Sequence, residues 1–124
     1  MLSLLHIENI AVISSADIVF DQGFNVLTGE TGAGKSIVID AIGAIMGERT
    51  SRDLIRTGAK TARVSAVFRD LPSLEWFERQ GSGPDENGEL LIERAIQADG
   101  KNVCRVNGRP LLVSQLRELG CQLL

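Results

Sequence analysis

The 124-residue sequence has no tyrosine, one histidine and two cysteines, and it carries no excess of positive charge. Each scarcity excludes something. Cys104 and Cys121 lack metal-ligand spacing and are too few for a disulfide scaffold, as expected in a reducing compartment. A net charge of −3 gives no global basic field of the kind that advertises nucleic-acid binding. The longest apolar run, within residues 37–46, is broken by Asp40 and is too short to span a bilayer. No Lys or Arg precedes the first apolar residues, so the start does not read as a signal peptide. With 44% hydrophobic and 23% charged residues, the composition is that of an ordinary globular domain, able to bury a core.

Against these absences stands Gly29-Glu30-Thr31-Gly32-Ala33-Gly34-Lys35-Ser36, the pattern G-x-x-x-x-G-K-[ST]. Residues 24–28 before it are short, apolar and rich in strand formers, and residues 37–46 after it read as a buried helix. Strand, glycine loop and helix are the context in which this pattern is a phosphate site. Gly29, Gly32 and Gly34 let the loop curl so that successive N–H groups face an anion. The helix start adds its unpaired N–H groups and the positive end of its dipole. Lys35 supplies a charge for the β- and γ-phosphates, and the Ser36 hydroxyl a ligand for Mg²⁺. A chain of this length matches the four fixed positions by chance on the order of half a percent of the time. The bland alternative is a flexible glycine turn ahead of a core helix.

In chain order, residues 1–10 alternate as a strand, on which His6 reads as a surface histidine, with a catalytic role as the alternative. A turn flanked by Asn9 and Ser14-Ser15 leads to a second strand at 16–20, and Asp21-Gln22-Gly23 turns into the strand feeding the loop. The first two strands are expected to make a sheet edge that cradles a nucleotide base. Asp40 lies one turn beyond Ser36 and supports the metal through water or bonds a neighbouring loop. Gly47 ends the helix. Arg49, Arg52, Arg56 and Lys60 lie in a loop or short helix, either as solvated surface or reaching a phosphate or DNA. A strand at 61–70 follows, then a short helix at 72–79 capped by Ser73, and a loop at 80–88. A β-hairpin region occupies about 89–110, with turns at Asp99-Gly100 and Asn107-Gly108. Residues 113–119 read as a helix with Ser114 as cap and Gly120 as stop. Residues 121–124 then look like the start of an apolar strand, so the domain is expected to be incomplete.

Hydrolytic chemistry is sparse. ATP hydrolysis needs an acid at the end of a downstream apolar strand. One candidate, Glu93, sits beside Arg94 and opposite Arg105, where a strand ion pair is the favoured reading; Asp21, after Ile18-Val19-Phe20, has the right look but precedes the phosphate loop. The guanine-selecting Asn-Lys-x-Asp is absent, Asp40-Ala41-Ile42-Gly43 falls inside the first helix, and no Leu-Ser-Gly-Gly signature occurs. No catalytic residue is assigned, and the chain is expected to be inactive as an ATPase by itself.

The combination of Leu2-x-x-Leu5-x-Ile7-x-Asn9-x-Ala11-x-Ile13, Gly29 to Ile42, Arg56-Thr57-Gly58-Ala59 and Arg105-Val106-Asn107-Gly108-Arg109-Pro110 resembles the RecN family of bacterial DNA repair proteins, which are SMC-like ABC ATPases. The resemblance covers residues 1–124, although the wider class usually has Pro-Asn where this loop has Glu30-Thr31. It implies an α/β fold, a P-loop NTPase, here the N-terminal part of an ABC-type ATPase head with a β-rich lobe. It also implies ATP and Mg²⁺ as cofactors and action in recombinational repair of double-strand breaks. The implied partners are the carboxyl-terminal head segment of the same protein, a second head in an ATP-dependent dimer, and DNA through the full-length protein. The implied location is cytoplasmic and nucleoid-associated, with no membrane. Gly29 to Ser36 carry over as the nucleotide loop and Ser36 as the Mg²⁺ ligand; Gln122 falls short of the family's glutamine motif. Two other functions compete: a small-molecule P-loop kinase, against which the late hairpin argues, and a non-catalytic module whose shape is set by nucleotide.

Overall fold

The structure, a computed structural model, describes residues 1–20, 32–81 and 83–123. The expected turn at 21–23, the strand at 24–28 and the loop positions Gly29, Glu30 and Thr31 lie outside the described residues. Six described strands form one sheet: β1 (Leu2–Ile10), β2 (Ile13–Val19), β3 (Thr61–Phe68), β4 (Leu90–Gln97), β5 (Asn102–Val106) and β6 (Arg109–Leu111). Their order is β2-β1-β3-β4-β5-β6 and every neighbouring pair is antiparallel. Among the described residues three α-helices accompany it, α1 (Gly32–Ile45), α2 (Glu75–Gln80) and α3 (Val113–Leu123), with a short 3-10 helix at Arg52–Leu54.

The sheet is legible because an antiparallel sheet covered on one side alternates apolar and polar residues. On β3, Ala62, Val64, Ala66 and Phe68 are buried, and their partners on β4 are Ile96, Arg94, Ile92 and Leu90. Leu5, Ile7 and Ile10 of β1 join the same core, as do Cys104 and Val106 of β5. The helices cover this face with Ile37, Val38, Ala41, Ala44 and Ile45 of α1, Trp76 of α2, and Leu116 and Leu119 of α3. Each large apolar side chain taken from water here contributes about 1.5–3 kcal/mol before entropy is counted. The other face is mixed, with Leu4, Val67 and Leu91 in register at one part of it and mostly polar residues at another. Thr61, Arg63, Ser65, Glu93, Gln97 and Arg105 line an open depression there of about 390 Å³.

Several local expectations give way to tertiary contacts. The first turn lies at Ala11-Val12, between Asn9 and Ser14-Ser15 as expected, but β2 starts at Ile13, ahead of the expected residue 16; Asn9 and Ala11 take φ values of 54° and 51°. That tight bend is held from outside, because Ala11 N–H donates to Leu54 and Arg56 N–H to Asn9. Helix α2 begins at Glu75, and the residue before it, Leu74, gives no side-chain cap, so Ser73 is not the cap. Strand β6 extends the hairpin region by one strand, since the Asn107-Gly108 turn, with both φ values positive, returns the chain against β5.

At α3 the expected cap and stop both fail. The helix starts at Val113, and the Leu112 N–H donates to the Gln115 Oε1, so Ser114 lies within the helix. Gly120 does not end it. The helix runs on to Leu123, so residues 121–123 are helical and not a strand. Gly120 is there because α3 crosses the end of α1 closely: a Cβ would stand 2.5 Å from the Met46 carbonyl oxygen.

His6 is the surface histidine its strand position implies. Its Nε2 lies 2.9 Å from Glu8 and its Nδ1 2.5 Å from Asp17. The hydrogen bond to Glu8, then that to Asp17, raises its pKa above the ordinary value against a smaller opposing effect of burial. The imidazolium is therefore the favoured form in the fold. Its stabilisation is fully present below about pH 6.5, the unfolded value, and is lost as pH rises through the raised folded value. Melting temperature should fall across that window in the native chain, and the His6→Ala variant should show a flatter profile. Identical profiles would mean the cluster adds nothing.

Candidate functional site

The phosphate-loop pattern runs into α1, which begins at Gly32, inside the motif. Ser36 is exposed, and so is Asp40 one turn later; Ile39 between them is 65% exposed. The opposite side of the helix, through Ile37, Val38, Ala41, Ala44 and Ile45, is sunk in the core. Apolar residues thus occupy most faces in sequence, yet among the described residues only one side is packed. The first turn projects unpaired N–H groups by geometry alone. Among the described residues no three His, Cys, Asp or Glu side chains gather as a metal cage.

The far end of α1 is finished by a glycine turn. Gly47, at φ 86°, donates to the Ala44 carbonyl, and Glu48 N–H reaches back to Gly43. Two arginines close on the same turn. Arg94, at a core-facing position of β4, donates from Nη1 to the carbonyls of Ala44 at 2.8 Å and Glu48 at 2.6 Å. Its Nε donates to Asn102 and its Nη2 to the Thr50 hydroxyl. Arg117 of α3 donates from Nε to the Gly47 carbonyl.

The other sequence candidates scatter. Arg49, Arg52, Arg56 and Lys60 are exposed, and Arg52 reaches the Ala98 carbonyl at 3.5 Å. Glu93 lies opposite Arg105 in register, while Arg94 faces the other side of the sheet. The ion pairs among the described residues are His6–Glu8, His6–Asp17 and Arg69–Glu89, so the expected Glu93 pair is a register neighbour without a bond. Cys104 is buried, and burial pushes its thiol pKa up. Arg94 and Arg117 were not singled out by the motif. The signal for Arg94 was the alternation itself, which puts an arginine in line with Leu90, Ile92 and Ile96.

Comparison with known proteins places this geometry. The family model described as an AAA domain matches residues 4–105. The chain belongs to the AAA domain family. It is similar to the DNA repair protein RecN of Bacillus subtilis, with 42% identity over 128 residues covering all of this chain and 22% of the relative. The chain thus spans about a fifth of the length of the curated relatives it matches. A solved structure concerned with ATP-driven dimerization and DNA-stimulated activation of SMC ATPases is similar at 26% identity and a TM-score of 0.75, over 94% of this chain and 75% of that one. The SMC head domain from Thermotoga maritima is similar at 25% identity and a TM-score of 0.71, over 95% of this chain and 41% of that one.

The resemblance to RecN read from the motifs therefore holds across the chain. The fold is the N-terminal part of an ABC-type ATPase head, with the antiparallel sheet as its β-rich lobe. No helix among the described residues is long and apolar enough to cross a membrane.

Proposed function

We propose that this chain is the ATP-binding N-terminal segment of a RecN-like head that acts in recombinational repair of DNA double-strand breaks. The carrying observation is that a helix begins at Gly32, within G-x-x-x-x-G-K-[ST], in a chain similar to RecN throughout. Residues 29–36 would wrap the triphosphate with main-chain amides, helped by the start of α1. Lys35 would neutralise charge on the β- and γ-phosphates. Exposed Ser36 suits a hard cation, and Mg²⁺ held there would neutralise phosphate charge. Asp40, exposed one turn on, is available to support it through water.

Residues 1–124 would form one part of a head that a carboxyl-terminal segment completes. A second such head would share the nucleotide; the similar SMC ATPase structure is described by ATP-driven dimerization. DNA would be engaged through the full-length protein, in the cytoplasm and at the nucleoid. The test mixes this chain with the separately expressed carboxyl-terminal segment. Association is expected with ATP and Mg²⁺ and not without nucleotide; equal association in both conditions would overturn the reading. The chain by itself should bind ATP without turnover above background, as measured by phosphate release.

A further inference from the structure

Arg94 is 2% exposed and lies among apolar neighbours on the core face of β4. None of the ion pairs among the described residues includes it. Burying a guanidinium costs several kcal/mol, and an apolar residue of similar size would fill that position at less cost. What the guanidinium does instead is grip. Its fork takes the carbonyls of Ala44 and Glu48 together with Asn102 Oδ1 and Thr50 Oγ1. A cation also suits the negative end of the α1 dipole. Arg117 fixes the Gly47 carbonyl of the same turn from α3. The end of the helix is thus clasped from two sides, by directional bonds that set its position where apolar packing alone would permit sliding.

We propose that Arg94 is a positioning residue for nucleotide: by clasping the last turn of α1 it fixes where the first turn of that helix presents its amides. The inference rests on nucleotide binding at residues 29–36. A helix of 14 residues is a rod about 20 Å long, so a slide or tilt at one end is transmitted to the other. A displacement of about 1 Å would carry first-turn amides away from the roughly 2.9 Å at which they can donate to phosphate oxygens.

The experiment compares ATP affinity in the native chain, Arg94→Met, Arg94→Lys and Lys35→Ala, far below each melting temperature, with melting measured without nucleotide. Arg94→Met keeps the bulk without the fork; it leaves the acceptors of Ala44, Glu48, Asn102 and Thr50 unpaired and should melt below the native chain, and where folded it should bind ATP at least about tenfold more weakly. Arg94→Lys keeps a charge that reaches the carbonyls and should fall between. Affinity within about twofold of native in folded Arg94→Met would overturn the proposal. If Arg94→Met does not fold, Arg94→Lys decides, assayed where it is folded: weaker binding supports the proposal, and affinity within about twofold of native overturns it. Equal binding by the native chain and Lys35→Ala would instead strike the nucleotide site itself.

Discussion

Replacing Lys35 with alanine should weaken ATP binding about a hundredfold while leaving the fold intact. The triphosphate carries its charge at the tail, and the motif offers one cation to meet it. Hydrogen bonds to charged groups contribute about 1.5–3 kcal/mol each, and an ammonium with three donors can make more than one. A loss of about 3 kcal/mol is roughly a hundredfold in affinity. The amides of residues 29–36 would remain and would hold inorganic phosphate or diphosphate weakly. Titration with labelled ATP checks this, with melting in the absence of nucleotide as the control. Unchanged affinity in Lys35→Ala would mean that the glycine pattern is a turn and nothing more.

Gly120→Ala should destabilise the fold by about 2 kcal/mol, and Gly120→Leu by more. On an exposed helix the first change would be favourable, by as much as about 1 kcal/mol in helix propensity. Here the added Cβ would stand 2.5 Å from the Met46 carbonyl oxygen and 2.9 Å from its Cα. Both obstacles are backbone, so no flexible side chain can yield. The two helices must part, and Leu116 and Leu119 lose contact with the core they share with Ala44 and Ile45. For a domain of this size the fall in melting temperature should be on the order of 10 °C, read by circular dichroism. A variant as stable as the native chain would show that α3 can shift without cost. Because Gly120 packs on the end of α1, the same variant should also weaken ATP binding, by the route that Arg94 serves.

The strands were legible because their periodicity is a local trace of a global fact. One face of an antiparallel sheet is covered, so residues 61–68 and 90–97 alternate. Glycine turns were legible for a different reason. Asn107-Gly108 and Gly47 need positive φ, and few residues tolerate it. The helix caps were not legible, since Ser73 and Ser114 have the right chemistry and the chain does not use them. Strand β6 is three residues long and contains Pro110, too short for any period to register.

By itself the sequence carried the G-x-x-x-x-G-K-[ST] pattern, the alternation of the sheet, the turns at Asp99-Gly100 and Asn107-Gly108, and the likeness to RecN. These depend on residue type at fixed spacing, which is written in the chain. Only the tertiary structure decided that Gly120 is a point of close approach and not a stop, and that Arg94 grips the end of α1 and does not pair with Glu93. Both depend on what lies across the core, 74 and 50 positions away in the chain at Met46 and Ala44. No local pattern carries that distance.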